Sequence, residues 1–116
     1  MNKSSIIIDV LTDEHRVPNS IQWSATDTSA GNAQKAKAMM ISFWDGADKA
    51  ALRIDLWTKD MMVDEMADFF YQTLMTMADT YGRATKYSEQ VEEMKTCAKG
   101  FYEKFRAKQL KENKAD

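Results

Sequence analysis

The sequence predicts an α+β domain, and three observations predict it. Residues 4–12, SSIIIDVLT, alternate so that Ile6, Ile8 and Val10 point one way and Ile7, Asp9 and Leu11 the other, which is the period of a strand. Residues 60–84 place Val63, Met66, Phe70, Met77, Tyr81 and Ala84 on a helical period, with Phe69, Leu74 and Ala78 widening the stripe. A length of 116 residues, 44% apolar and 29% charged, suits one modest core. The expected architecture is a small sheet of about three strands with three helices, in the order β-β-α-β-α-α. It forms a single domain over 1–116 with an ordered core of about 3–110.

Taken in order, the first strand is followed by a polar turn, DEHRVPN, closed by Pro18. Ile21, Trp23 and Ala25 then alternate with Gln22 and Ser24, so a second strand completes a hairpin. Residues 26–32 are a loop, and Asn32 is placed to cap a helix through about Trp44, with Ala36, Met40 and Phe43 on one face. Asp45-Gly46 ends that helix, Gly46 suiting a left-handed cap. A third strand covers about Ala50 to Trp57. After the long helix a break falls near 82–87, and Ser88 caps a last helix carrying Val91, Met94, Ala98, Phe101 and Phe105.

A formal net charge of −2 argues against a nucleic-acid binder, which needs many cations against phosphate. The basic C-terminal stretch, Lys99 to Lys114, reads as a solvated helix end whose cations suit the helix dipole. The lone Cys97 provides neither a disulfide nor a thiolate metal site and reads as a small buried hydrophobe. The opening MNKSSIIIDV has too short an apolar run for a signal-peptide core, and no segment approaches a membrane span. A cytoplasmic location is expected.

The densest chemistry lies in residues 52–66, LRIDLWTKDMMVDEM. Read as a strand entering a helix, it sends Leu52, Ile54 and Leu56 to the core and gathers Arg53, Asp55 and Trp57 on the opposite face. Asp60 is placed as an N-cap, and Asp64 and Glu65 as first-turn acids favoured by the dipole. That accounts for the carboxylates without catalysis. Paired acids need a shared cleft, and nothing in the spacing requires Asp55 and Asp64 to meet. His15, the sole histidine, lies in a polar turn with no nucleophile patterned beside it. A hard-cation site from Asp9, Asp13, Glu14 and Asp60 lacks calcium-loop spacing, and the four glycines form no phosphate loop. No enzyme activity, metal or cofactor is expected.

A surface remains. Arg53, Asp55 and Trp57, with Trp44 as a further candidate, compose a face suited to a protein partner or to self-association, since aromatics and arginine are over-represented at binding hot spots. The competing reading takes the nine methionines, of which Met39, Met40, Met61, Met62, Met66, Met75 and Met77 crowd around the first two expected helices. They would form an adaptable apolar groove for a peptide or small molecule.

Three segments carry a family resemblance: KAMMISFWD at 37–45, LRIDLWTKDMMVDEM at 52–66 and QTLMTMADTYGRAT at 72–85. With the opening strand, VPNSIQWSA at 17–25 and the final helix, they make the chain similar to the gliding motility protein GldC family of Bacteroidetes and related bacteria, over about 3–105. One departure is Met62, where relatives are expected to carry proline. The resemblance implies a small accessory protein connected with surface gliding motility. It implies no enzymatic activity, cofactor or catalytic residue, and any action on an envelope machine would come from the cytoplasmic side or through a partner.

Overall fold

Alternation of side chains governs the first half of the chain, and hydrogen-bonded partners decide which strands form. The computed structural model describes residues 1–26 and 31–114, and the loop expected at 26–32 falls largely on 27–30, outside the described residues. Five strands come first: β1 (Ile6–Thr12), β2 (Pro18–Ala25), β3 (Gln34–Ala36), β4 (Ala38–Asp45) and β5 (Ala50–Trp57). Two helices follow, α1 (Val63–Thr85) and α2 (Ser88–Lys114). The α+β class stands, with two sheets and two helices among the described residues in place of one small sheet and three helices.

The expected helix over 32–44 is instead β3 and β4. Ala, Lys and Met at 35–40 are tolerable helix formers, and Ala36, Met40 and Phe43 fit a helical stripe. As strands, Met39, Ile41 and Phe43 share one face and Met40, Ser42 and Trp44 the other, and pairing of β3 with β2 and of all of β4 with β5 outweighs the local preference. Asp45-Gly46 therefore opens a hairpin turn and does not stop a helix. The Asp45 carboxylate accepts the Ala47 and Asp48 N–H groups at 2.9 and 3.1 Å. The left-handed residue there is Lys49 at φ 52°, and no glycine in the described residues has positive φ.

The chain divides into two compact units, Met1–Met61 and Met62–Asp116. In the first, β1, β2 and β3 form an antiparallel sheet in that order, and β4 and β5 form a two-stranded ribbon. Ile8, Val10, Trp23, Ile21 and Ala36 share one face of the larger sheet by their register. Ile21, at 1% exposure, is the fully buried large side chain there. The Asp13 carboxylate organises the β1–β2 turn by accepting the His15 and Val17 N–H groups at 2.8 and 3.0 Å.

β3 and β4 are one run of chain interrupted at Lys37, so a single extended segment serves both sheets. Thr58, just past β5, closes the junction. Its N–H donates to the Lys37 carbonyl at 2.7 Å, and its hydroxyl lies 3.1 Å from the same oxygen and hydrogen-bonds the Asp60 carboxylate. Thr58 is fully buried, which explains why every polar atom it carries has a partner. Lys59 adds two ties, its N–H to the Pro18 carbonyl at 3.2 Å and its ammonium to Asp13 at 2.9 Å.

The second unit is a helical hairpin. α1 starts at Val63, later than expected. Asp60 is engaged by Thr58, and the helix is capped by the Glu65 carboxylate, which accepts the Met62 N–H at 3.1 Å. Lys86, left-handed at φ 66°, ends α1 with its N–H on the Gly82 carbonyl. The seam between the helices is built from small residues: Ala67, Ala78 and Ala98 are buried. A Cβ on Gly82 would lie 3.0 Å from Val91 Cγ2, so the two backbones approach closely beside the turn. Tyr71 and Tyr102 stack at 4.9 Å between centroids, and Lys95 pairs with Asp79 at 2.8 Å. The seam follows part of the expected stripes: Ala78 and Ala98 belong to them and are buried, Met66, Leu74, Tyr81, Val91 and Met94 are half-buried, and Val63, Phe70 and Met77 on α1 and Phe101 on α2 are exposed. Cys97, expected to be buried, is also exposed.

Candidate protein-docking face

The β4–β5 ribbon carries all four residues singled out from sequence, and its register puts them on one face. Directly opposed residues of an antiparallel pair share a face. Trp44 opposes Ala51, Ser42 opposes Arg53, Met40 opposes Asp55 and Ala38 opposes Trp57. Trp44, Arg53, Asp55 and Trp57 therefore belong to one surface four cross-strand rows long. The two tryptophans close its ends, roughly 20 Å apart along the strands. Trp44 arrives there because its segment is a strand; on a helix over 32–44 nothing would have joined it to the others.

Arg53 and Asp55 form a bidentate pair within one strand. Arg53 Nε and Nη2 donate to Asp55 Oδ2 and Oδ1 at 3.1 and 2.9 Å. The carboxylate holds the guanidinium above its ordinary pKa, through this hydrogen bond first and then its charge. Neither side chain is secluded, at 45% and 44% exposure, so the pair adds little to stability. Trp57 is 56% exposed and Trp44 69%. A planar fork, a carboxylate and two indoles on an uncovered strand pair form a surface able to bind through aromatic burial and directional charge. Sequence reasoning missed the small residues between them, Ala38, Ser42 and Ala51. They become visible only once β4 is read as a strand.

The opposite face is apolar, with Phe43 on Leu52, Ile41 on Ile54 and Met39 on Leu56. Leu52, Ile54 and Leu56 were expected to be core, but Leu52 and Ile54 are 56% and 50% exposed, and Leu56 is half-buried with Met39 and Ile41 at the same end. Alternation correctly groups these side chains, but it does not say what covers them.

The other candidates disperse. Met39 and Met40 point to opposite faces of β4, and Met75 and Met77 are too close in α1 to share its side. Asp13 lies below the ordinary carboxylate range, chiefly through the Lys59 ammonium and then the Val17 N–H. Asp60 is lowered by the Thr58 hydroxyl. Both acids have structural duties in the junction beside β2. His15 is exposed, 3.5 Å from Glu14. Among the described residues no three metal-ligating side chains converge, and no helix is long and apolar enough to cross a membrane.

Comparison with known proteins agrees with the family read from sequence. A family model described as gliding motility-associated protein GldC-like matches residues 18–107, from the start of β2 into α2, and so includes the whole β4–β5 ribbon. Neither the curated proteins nor the solved structures gave a match.

Proposed function

Since the chain belongs to the GldC-like family of gliding motility-associated proteins, we propose that it is a non-enzymatic accessory protein that works by docking another protein on the Trp44, Arg53, Asp55 and Trp57 face of the β4–β5 ribbon. The carrying observation is that one register gathers two exposed indoles and an exposed bidentate Arg–Asp pair on a single face. Such residues dominate binding energy where they are buried at an interface. An isolated two-stranded ribbon is marginal in water, so a partner that covers it also steadies it. The expected site of action is the cytoplasm, which cell fractionation with protease protection tests.

Crosslinking and affinity capture from native cells, comparing wild type with Arg53→Glu/Trp57→Ala, tests the docking face. Circular dichroism establishes that the variant keeps its fold. Specific capture by wild type that is lost in the folded variant is the expected result. Equal capture by both proteins overturns the assignment of this face.

A further inference from the structure

Resting on that docking reading, we infer that the face binds a second copy of this chain, the two ribbons stacking face to face about a twofold axis that runs across the strands. Sheets that pack face to face lie about 10 Å apart, near-aligned. This operation leaves β4 over β4 and β5 over β5 and reverses the row order. The four rows, Trp44/Ala51, Ser42/Arg53, Met40/Asp55 and Ala38/Trp57, then meet their mates in a specific way. Trp44 falls over Ala38 of the second copy, Trp57 over its Ala51, and Arg53 over its Asp55, each contact occurring twice. Every large indole faces an alanine and every charge faces its opposite. A self-matching pattern in both size and charge is what an isologous interface requires.

The charges select this axis over the other simple one. A twofold axis running along the strands would also set each tryptophan over an alanine, Trp44 on Ala51 and Trp57 on Ala38. It would, however, place Arg53 over Ser42 and press the Asp55 carboxylate onto Met40, leaving each charge with no new counter-charge in a drying interface. Across the strands, two bidentate pairs merge into a square of alternating charges. Each guanidinium keeps its own Asp55 and has further N–H groups for the partner's carboxylate. The face is two strands wide and about 26 Å long. It therefore belongs with the smaller specific interfaces, and the dimer separates on dilution.

Sedimentation equilibrium on the purified full chain tests this, with circular dichroism as the fold check. Wild type is expected to dimerise in a concentration-dependent way. Arg53→Asp and Asp55→Arg, each putting like charges across the axis, are expected to weaken dimerisation by at least about tenfold. An equimolar mixture of these two variants restores a dimer, because one brings two acids and the other two bases. The exchange Arg53→Asp/Asp55→Arg in one chain also dimerises, whereas a partner with a fixed charge pattern would lose it. Wild type that stays monomeric, or single variants that dimerise as well as wild type, overturns the inference. If wild type is monomeric yet its cellular capture still depends on Arg53 and Trp57, only the second copy is refuted; if capture is also unaffected, the docking face is refuted with it.

Discussion

Gly82 and Gly100 invite the same substitution and predict opposite outcomes. Both lie in the helical hairpin, and alanine gains up to about 1 kcal/mol of helix propensity at either position. At Gly100 an added Cβ meets nothing within 4 Å, so Gly100→Ala is expected to stabilise by nearly that full amount. At Gly82 the Cβ lands 3.0 Å from Val91 Cγ2, well inside the roughly 3.5–4.0 Å of an ordinary carbon contact. Val91 is β-branched in a helix and holds one strongly preferred rotamer, so relief requires the helices to part. Overpacking of this kind costs about 1–3 kcal/mol. Set against the propensity gain, Gly82→Ala is expected to destabilise by about 1 kcal/mol. Removing the obstacle reverses the sign: in a Val91→Ala background, Gly82→Ala stabilises, giving a coupling of about 1–2 kcal/mol between the sites. Urea unfolding followed by helical circular dichroism measures all four proteins. If Gly82→Ala stabilises the wild type as much as Gly100→Ala does, the close approach at the turn is not a packing constraint and the reasoning fails.

Thr58→Val keeps the shape at the sheet junction while deleting the hydroxyl that reaches Lys37 and Asp60. It is expected to cost about 1 kcal/mol in urea unfolding, and no loss would show that the backbone N–H alone holds the junction. Because Asp13 is depressed in the folded state mainly by Lys59, its contribution is present above the ordinary aspartate range and is lost as pH falls through the depressed value. Lys59→Met should move the Asp13 carboxyl titration, followed by NMR, up towards 3.8, and an unmoved titration would refute the pairing. Tyr102 is raised by its hydrogen bond to Asp68 and then by desolvation, so this stabilisation persists below the ordinary tyrosine range and disappears as pH rises through the raised value. Asp68→Asn should lower the phenol's midpoint in an ultraviolet titration, and an unchanged midpoint would remove Asp68 as the cause.

Much of the fold was legible where local pattern and final pairing agree. Residues 50–57 alternate unambiguously and are β5 to the residue; Ile6–Thr12 and Pro18–Ala25 follow from the same period with a polar turn between them. Both long helices were visible from their stripes and from Ser88. Residues 34–45 were not, because Ala36, Met40 and Phe43 fit a helical stripe while Met39, Ile41 and Phe43 fit a strand face, and only the distant partner at 50–57 chooses between the two. The docking face was half legible: Arg53, Asp55 and Trp57 follow from alternation within one strand, but Trp44 joins them only through cross-strand register. Burial was the least legible. Ala78 and Ala98 of the expected stripes are buried together with Ala67, while Val63, Phe70, Met77 and Phe101 of the same stripes stay exposed, since an apolar stripe marks one side of a helix and not which of its residues the neighbouring helix covers.

The interruption at Lys37 makes the chain sensitive to length in a way that substitution does not reveal. The β4–β5 hairpin carries its own register through the turn at 46–49, so its eight cross-strand pairs survive as a block whatever happens upstream. Strand side chains change sides at every residue. One residue inserted or removed at position 37 would therefore turn the hairpin over relative to β2, exchanging its Trp–Arg–Asp face for its Phe–Leu–Ile face without breaking a single pair inside it. Two residues would turn it back. The junction acts as a reading frame for the surface, and length variants differing by one and by two residues there should divide into altered and preserved binding.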